Sequence, residues 1–332
     1  MHPANPTAGL PEDAPLVAVW RGALVESVHR GRVAVCAPAG ELVEAMGDPD
    51  AYVYARSSAK PFQAIPLLLS GAADDLGLTD EELAVVCASH NAEEPHLAAI
   101  RSILERAGLS EDDLQNGAHP PIYAPAAAEL AREGEEPGQV HGNCSGKHAG
   151  MLALCVHEGW ETVGYRDPDH PAQQWILEIV ARVCGLERDE ILMAVDGCGA
   201  PAFAMPLKNL AVGFARLATG ENLPDALAGA ARRIRGAMRE HPYMVAGTGR
   251  LDTAVMQATD LVAKGGAEGV FAAASPEGWG LALKISDGAM RAVRPAALAL
   301  LARRGVEVLE APGPLPVEDL HGVPVGRIEP LL

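Results

Sequence analysis

Basic charge, aromatic rings, long apolar runs and paired-cysteine motifs are all scarce in this chain, and each scarcity excludes something. Lys and Arg number 26 against 44 Asp and Glu, a net charge of −18 over 332 residues. Proteins that track nucleic-acid phosphates or anionic membranes want a basic face, so neither partner is expected. No stretch approaches the roughly 18 apolar residues that cross a bilayer; the richest are PLLLSGAA and AALALLARR. The six cysteines (Cys36, Cys87, Cys144, Cys155, Cys184, Cys198) include no Cys-x-x-Cys pair. In a long chain they read as reduced thiols, and a cytoplasmic location is expected. The first fifteen residues hold four prolines and neither the apolar core of a secretory signal nor the pattern of a transit peptide, so they read as a mobile tail. What remains is a globular composition, 48% hydrophobic and 21% charged.

The order of local patterns is informative. Residues 16–46 alternate short β-branched runs with Arg-Gly and Ala-Gly breaks, as an antiparallel meander does. From Pro61 to about Thr259 the pattern is helical: Thr79-x-x-Glu82 is a capping box, Ser110 opens a turn, and a helix starting at Pro171 runs through Cys184 to Gly185. GWGLALKISDG then reads as a strand and turn, AMRAVRPAALALLARRG as a helix, and GVEVLE and VPVGRIEPL as strands. This order predicts one α+β domain over 16–332, after a tail over 1–15. Its antiparallel sheet comes from both chain ends (about 16–55 and 270–332) around a helical insert (about 56–269).

Lysine is the rarest basic residue, at positions 60, 147, 208, 264 and 284 only, so each can be weighed singly. Ser57-Ser58-Ala59-Lys60 is a Ser-x-x-Lys spacing that, in a helical turn, puts hydroxyl and amine on one face. The same residues also suit a plain helix cap by Ser57 or Ser58 with an exposed lysine. A lysine with its free pKa near 10.4 must lose about three units to act as a base at neutral pH, which burial or a second cation supplies. Lys284, in GLALKISDG, is the candidate second lysine, and Ser89, in CASHN after a helix, a candidate second hydroxyl.

The densest reactive cluster is His141-Gly-Asn-Cys144-Ser-Gly-Lys147-His148. A phosphate-binding loop would need Gly where His141 stands and Ser or Thr where His148 stands; zinc-finger and HExxH spacings are missing too. A second cysteine, Cys198, lies in the Gly-rich turn DGCGAP. Two thiolates from separate loops suit a metal, with Lys147 a third ligand only when deprotonated, and buried inert thiols are the alternative. In HPYMVAGTGR, Gly247, Thr248 and Arg250 suit a substrate loop or an ordinary surface turn.

Taken together, RSSAKPFQ, CASHN, HGNCSGKHAGML, DGCGAP, HPYMVAGTGR and LKISDGAMRA, in that order, resemble the thermolabile L-asparaginase family of rhizobial type, from about residue 16 to the end. The resemblance implies a serine β-lactamase and penicillin-binding-protein-like fold, a homodimer, and hydrolysis of L-asparagine to L-aspartate and ammonia. It implies two Ser-Lys pairs, Ser57 with Lys60 and Ser89 with Lys284, and a zinc position at Cys144, Lys147 and Cys198. It places Arg56, His148, Asp196, Gly247, Thr248 and Arg250 at the substrate. Ser57 is the expected nucleophile, with Ser89 as the alternative. Other readings left open are a glutaminase or another Ser-Lys amidohydrolase on the same scaffold, and a non-catalytic zinc- or ligand-binding protein.

Overall fold

The N-terminal meander forms because three β-branched runs are separated by turns that glycine permits. In the computed structural model, which describes residues 10–308 and 313–332, strand β1 (Ala14–Arg21) turns at Gly22, with φ at +56°, into β2 (Leu24–Cys36), which pairs with β3 (Leu42–Met46). Three short strands, β4 (Tyr52–Tyr54), β5 (Leu192–Val195) and β6 (Pro201–Pro206), make a separate sheet in the order β4-β6-β5. The chain returns to the first sheet with β7 (Val262–Gly266), β8 (Val270–Ser275), β9 (Trp279–Ile285), β10 (Leu315–Glu318) and β11 (Pro324–Pro330).

The large sheet has eight strands, ordered β10-β11-β1-β2-β9-β8-β7 with β3 also on β2. The N-terminal strands therefore lie between C-terminal ones: β1 pairs with β11, and β2 with β9, all antiparallel. Every residue of β8 is buried, as a strand covered on both faces must be. The helix Leu207–Thr219 packs on β9, β8 and β2, so closely that a Cβ at Gly280 would lie 2.1 Å from the Ala211 carbonyl oxygen. The helix Val293–Arg303 packs on β11, β1, β8 and β9.

The helices of the insert start where their sequence signals fall. Thr79 and Glu82 form the capping box of Asp80–Val86, and Pro171–Cys184 ends in left-handed Gly185. One hydrophobic cluster runs from Leu16 and Val33 in the sheet through Phe62, Leu152 and Phe214 of the insert. No helix among the described residues is long and apolar enough to cross a membrane.

The α+β architecture with a sheet from both chain ends is as expected, with four corrections. The three-stranded sheet interrupts the helical stretch, and β7 lies inside it, before residue 270. The strand expected at GVEVLE is missing over 305–308, where the chain closes the preceding helix through Val306 N–H on the Leu301 carbonyl; residues 309–310 lie outside the described residues. Residues 1–9 of the expected tail also lie outside them, and Ala14 already belongs to β1. Neither Ser57 nor Ser58 caps a helix: the Ser58 hydroxyl donates back to the Ala55 carbonyl, 2.6 Å away.

Candidate active site

The Ser-x-x-Lys segment is a 3₁₀ turn, Arg56–Ala59, running into the short helix Lys60–Gln63. Arg56 has φ of +50°, a left-handed conformation that costs a non-glycine residue about 1–3 kcal/mol and is stored mainly at functional sites. The Arg56 guanidinium donates to Asp196 Oδ1 at 2.9 Å. Burial alone would raise the Asp196 carboxyl, but the Gly197 N–H and Arg56 outweigh it and hold it below its usual range. Lys60 points inward and is 2% exposed, and Ser57 lines a cavity of about 830 Å³.

Ser89 lies just beyond the helix Asp80–Val86, where its backbone N–H donates to the Val245 carbonyl at 3.0 Å. Its Oγ sits between two amines, Lys60 Nζ and Lys264 Nζ, each at 3.1 Å. Lys60 also donates to the carbonyls of Ala88 and Asn143, and Lys264 to that of Gly265 at 2.8 Å, with Asp252 Oδ1 at 3.7 Å. Burial pulls Lys60 below the ordinary lysine value. Burial also dominates at Lys264, bringing it to about 8 against the opposing pull of Asp252. Both amines are thus moved toward the neutral form that a base requires.

The expected pairing of Ser89 with Lys284 is corrected. Lys284 sits on β9, and its amine donates to the carbonyls of Ile285, at 2.7 Å, and Glu268. Lys264 occupies the place beside Ser89 because β7 is the sheet's end strand and packs against the Arg56–Ala59 turn, whereas β8 separates β9 from it. The signal that would have found it is a single lysine in an apolar run closed by two glycines, LVAKGG, which leaves the amine no route to solvent.

The cysteine loops do meet. Cys144 stands at the N-terminus of the helix Ser145–Glu158 without a capping hydrogen bond, and Lys147 on its first turn donates to Cys198 Sγ at 3.2 Å. The thiols form a coupled pair: a hydrogen bond from Cys198, with the Lys60 and Lys147 charges, puts Cys144 well below the usual thiol range, and Cys198 is pushed up. Burial lowers the Lys147 amine, and the two sulfurs reverse this, leaving it above its ordinary value. Among the described residues no cluster of three His, Cys, Asp or Glu could hold a metal. Two soft sulfur donors suit zinc by chemistry, whereas the Lys147 nitrogen, raised above its ordinary value, could ligate only after a metal displaced its proton. The neighbouring His148 is fully buried and held neutral by burial and the Lys147 and Lys60 charges; its Nδ1 meets the Tyr165 hydroxyl at 2.6 Å and its Nε2 has no hydrogen-bond partner among the described residues.

The cavity at Ser57 and Ser89 is also lined by Asn91, Asn143, Thr248, Arg250 and Asp252. Thr248 spends its hydroxyl on Glu93 Oε1, 2.6 Å away, and Arg250 reaches Asn91 Oδ1 at 3.3 Å. Gly247, with φ of +108°, lets the loop pass Glu93, whose Oε2 would lie 2.4 Å from a Cβ there. Asp196 and Cys198 line a second cavity, of about 540 Å³, and connect to the first site through Arg56 and Lys147. The residues missed in the sequence are Asn91, Glu93, Asn143, Asp252 and Lys264.

The family profile for L-asparaginase II matches residues 17–330. The chain belongs to that family. No curated protein matches. As a member of the L-asparaginase II family the chain is an amidohydrolase of the asparaginase type acting on a small molecule. Similar solved structures include a protein named Mglu, at 16% identity over 88% of this chain and 72% of that one, with a TM-score of 0.45. A β-lactamase from Mycobacterium bovis shares 15% identity over 82% and 94% of the two chains, with a TM-score of 0.42. The Bacillus subtilis glutaminase YbgJ, in covalent complex with 5-oxo-L-norleucine, shares 15% over 88% and 93%, with a TM-score of 0.36.

Proposed function

We propose that the protein is an L-asparaginase that hydrolyses the side-chain amide of L-asparagine through an acyl-enzyme. The observation that carries this reading, within the family, is the Ser89 hydroxyl held between two buried amines on a cavity that Ser57 also lines. Ser57, whose hydroxyl makes no hydrogen bond among the described residues, attacks the amide carbon and gives its proton to neutral Lys60. Ser89 passes a proton between Lys60 and Lys264, ammonia leaves with it as the C–N bond breaks, and water then cleaves the aspartyl ester by the reverse relay. Arg56 and Asp196 offer one charge of each sign side by side, which suits the α-carboxylate and α-ammonium of a zwitterionic amino acid.

Ser89 as the attacking group is the second reading, favoured by its two amine contacts. Acid quenching during turnover followed by peptide mass mapping separates the two. An aspartyl adduct on the peptide carrying Ser57 is expected, one on Ser89 transfers the nucleophile's role, and no adduct on either contradicts an acyl-enzyme.

Cys144, Cys198 and Lys147 are the residues that would hold zinc. When bound, the ion supplies a Lewis-acid position for the substrate's polar head. Elemental analysis should find about one zinc per chain, lost in both Cys144→Ala and Cys198→Ala; zinc retained in both variants would remove these residues as ligands. A homodimer and a cytoplasmic location complete the proposal, and analytical ultracentrifugation and cell fractionation of the full chain check them.

A further inference from the structure

Asp252 stands on the first turn of the helix Leu251–Ala258 and is 3% exposed. A carboxylate this deep is strongly unfavourable unless paired, and its partners are few. Its Oδ1 accepts the Gly265 N–H and lies 3.7 Å from Lys264 Nζ. The Lys264 amine in turn has three neighbours: the Gly265 carbonyl at 2.8 Å, the Asp252 carboxylate, and Ser89 Oγ at 3.1 Å.

The stereochemistry of an amine decides what this arrangement does. A neutral lysine has two N–H bonds and one lone pair. A carbonyl and a carboxylate can only accept, so one N–H bonds the Gly265 carbonyl, the other is drawn by charge toward Asp252 at 3.7 Å, beyond hydrogen-bond reach, and the lone pair is left facing the Ser89 hydroxyl. The same carboxylate holds Gly265 from the backbone side, and a Cβ at that position would approach its oxygens to 3.2 and 3.3 Å. Both accepting partners of the amine are thereby tied to one side chain.

We propose that Asp252 is a positioning residue for the relay: with the Gly265 carbonyl it turns the Lys264 lone pair onto Ser89 Oγ. The inference rests on the reading of Ser89 and Lys264 as the proton relay. Lys264 is also faced by the charges of Lys60 and Arg250 and by the thiol of Cys144, and Cys87 lies within its field. Asp252 faces the amine at 3.7 Å and opposes the effect of burial there, so its removal favours the neutral amine.

The test compares Asp252→Asn, Asp252→Glu and Lys264→Met in the full chain by kcat and KM for L-asparagine and by kcat against pH. Asp252→Asn is expected to lower kcat about 10- to 100-fold with KM changed by less than about threefold, and to move the acid limb of the kcat profile about one pH unit lower. Asp252→Glu keeps the charge, so its acid limb stays where the wild type has it while kcat falls. A purely structural carboxylate would lower the melting temperature and leave the acid limb in place. Wild-type kcat and an unmoved limb in Asp252→Asn, beside an inactive Lys264→Met, overturn the role of Asp252 alone. Full turnover in Lys264→Met overturns the relay itself. If Asp252→Asn does not fold, Asp252→Glu still decides: its limb moving with the loss of kcat contradicts the proposal.

Discussion

At the scale of single residues the site is governed by where an amine can lose its proton. Lys264 is fully buried and brought to about 8, so at pH 7 roughly one molecule in ten carries it neutral. Turnover is expected to rise between about pH 7 and 9 and to level off above that range as Lys264 deprotonates. Lys264→Met should remove this rise and cost about 10²- to 10⁴-fold in kcat, the usual worth of a positioned acid-base group. Lys284→Met, which frees the carbonyls of Ile285 and Glu268 and removes no partner of Ser89, should leave kcat within about threefold. Steady-state ammonia release across pH for the three proteins checks this; the opposite ranking of the two lysines would restore the sequence expectation. That expectation failed at Lys284 for a physical reason. Both lysines sit in strands with apolar neighbours, and only the order of β7, β8 and β9 in the sheet decides which amine reaches Ser89. Ser57, Lys60, Ser89, Cys144, Lys147 and Cys198 could be singled out in the sequence because each lies in a short local motif, and the structure brings Lys60 to Ser89 and Lys147 to Cys198. The partners Asp252 and Glu93 were not: Asp252 acts on Lys264, which lies in no motif, and Glu93 reaches Thr248 from 155 residues away.

At the scale of elements, the site depends on how closely helices approach. The helix Ser145–Glu158, which presents Lys147, crosses the helix Asp80–Val86, which leads to Ser89, with Gly146 at the contact. A Cβ on Gly146 would lie 2.1 Å from the Val85 carbonyl oxygen, and backbone cannot swing away as a side chain can. Gly146→Ala should therefore destabilise the fold by about 1–3 kcal/mol and lower kcat by displacing Lys147 from the Ser89 turn. Urea unfolding with parallel kinetics checks both, and an unchanged midpoint would show that the contact relaxes freely. Element starts were well marked in the sequence, as at Thr79 and Pro171, because capping and proline chemistry act within one turn. The strands β5 to β7 were not, since four to six residues, mostly small or apolar, have no period that separates a buried strand from a helix.

At the scale of the whole molecule, a chain of net charge −18 concentrates its functional cations inside. Three of its five lysines, Lys60, Lys147 and Lys264, are buried around the Ser89 turn, where the low dielectric makes each charge matter and each pKa adjustable. The large sheet supports this by clamping N-terminal strands between C-terminal ones, so β7 and the Arg56–Ala59 turn meet although some 200 residues separate them. The proposed hydrolysis of L-asparagine rests on this arrangement. Its most direct test is to measure aspartate and ammonia released from L-asparagine by the folded, zinc-loaded chain, with L-glutamine as comparison. Equal amounts of the two products from L-asparagine are expected, with turnover of L-glutamine at a lower kcat/KM and loss of both activities in Ser57→Ala and Lys264→Met. No aspartate above the uncatalysed rate from that same preparation would contradict the proposal.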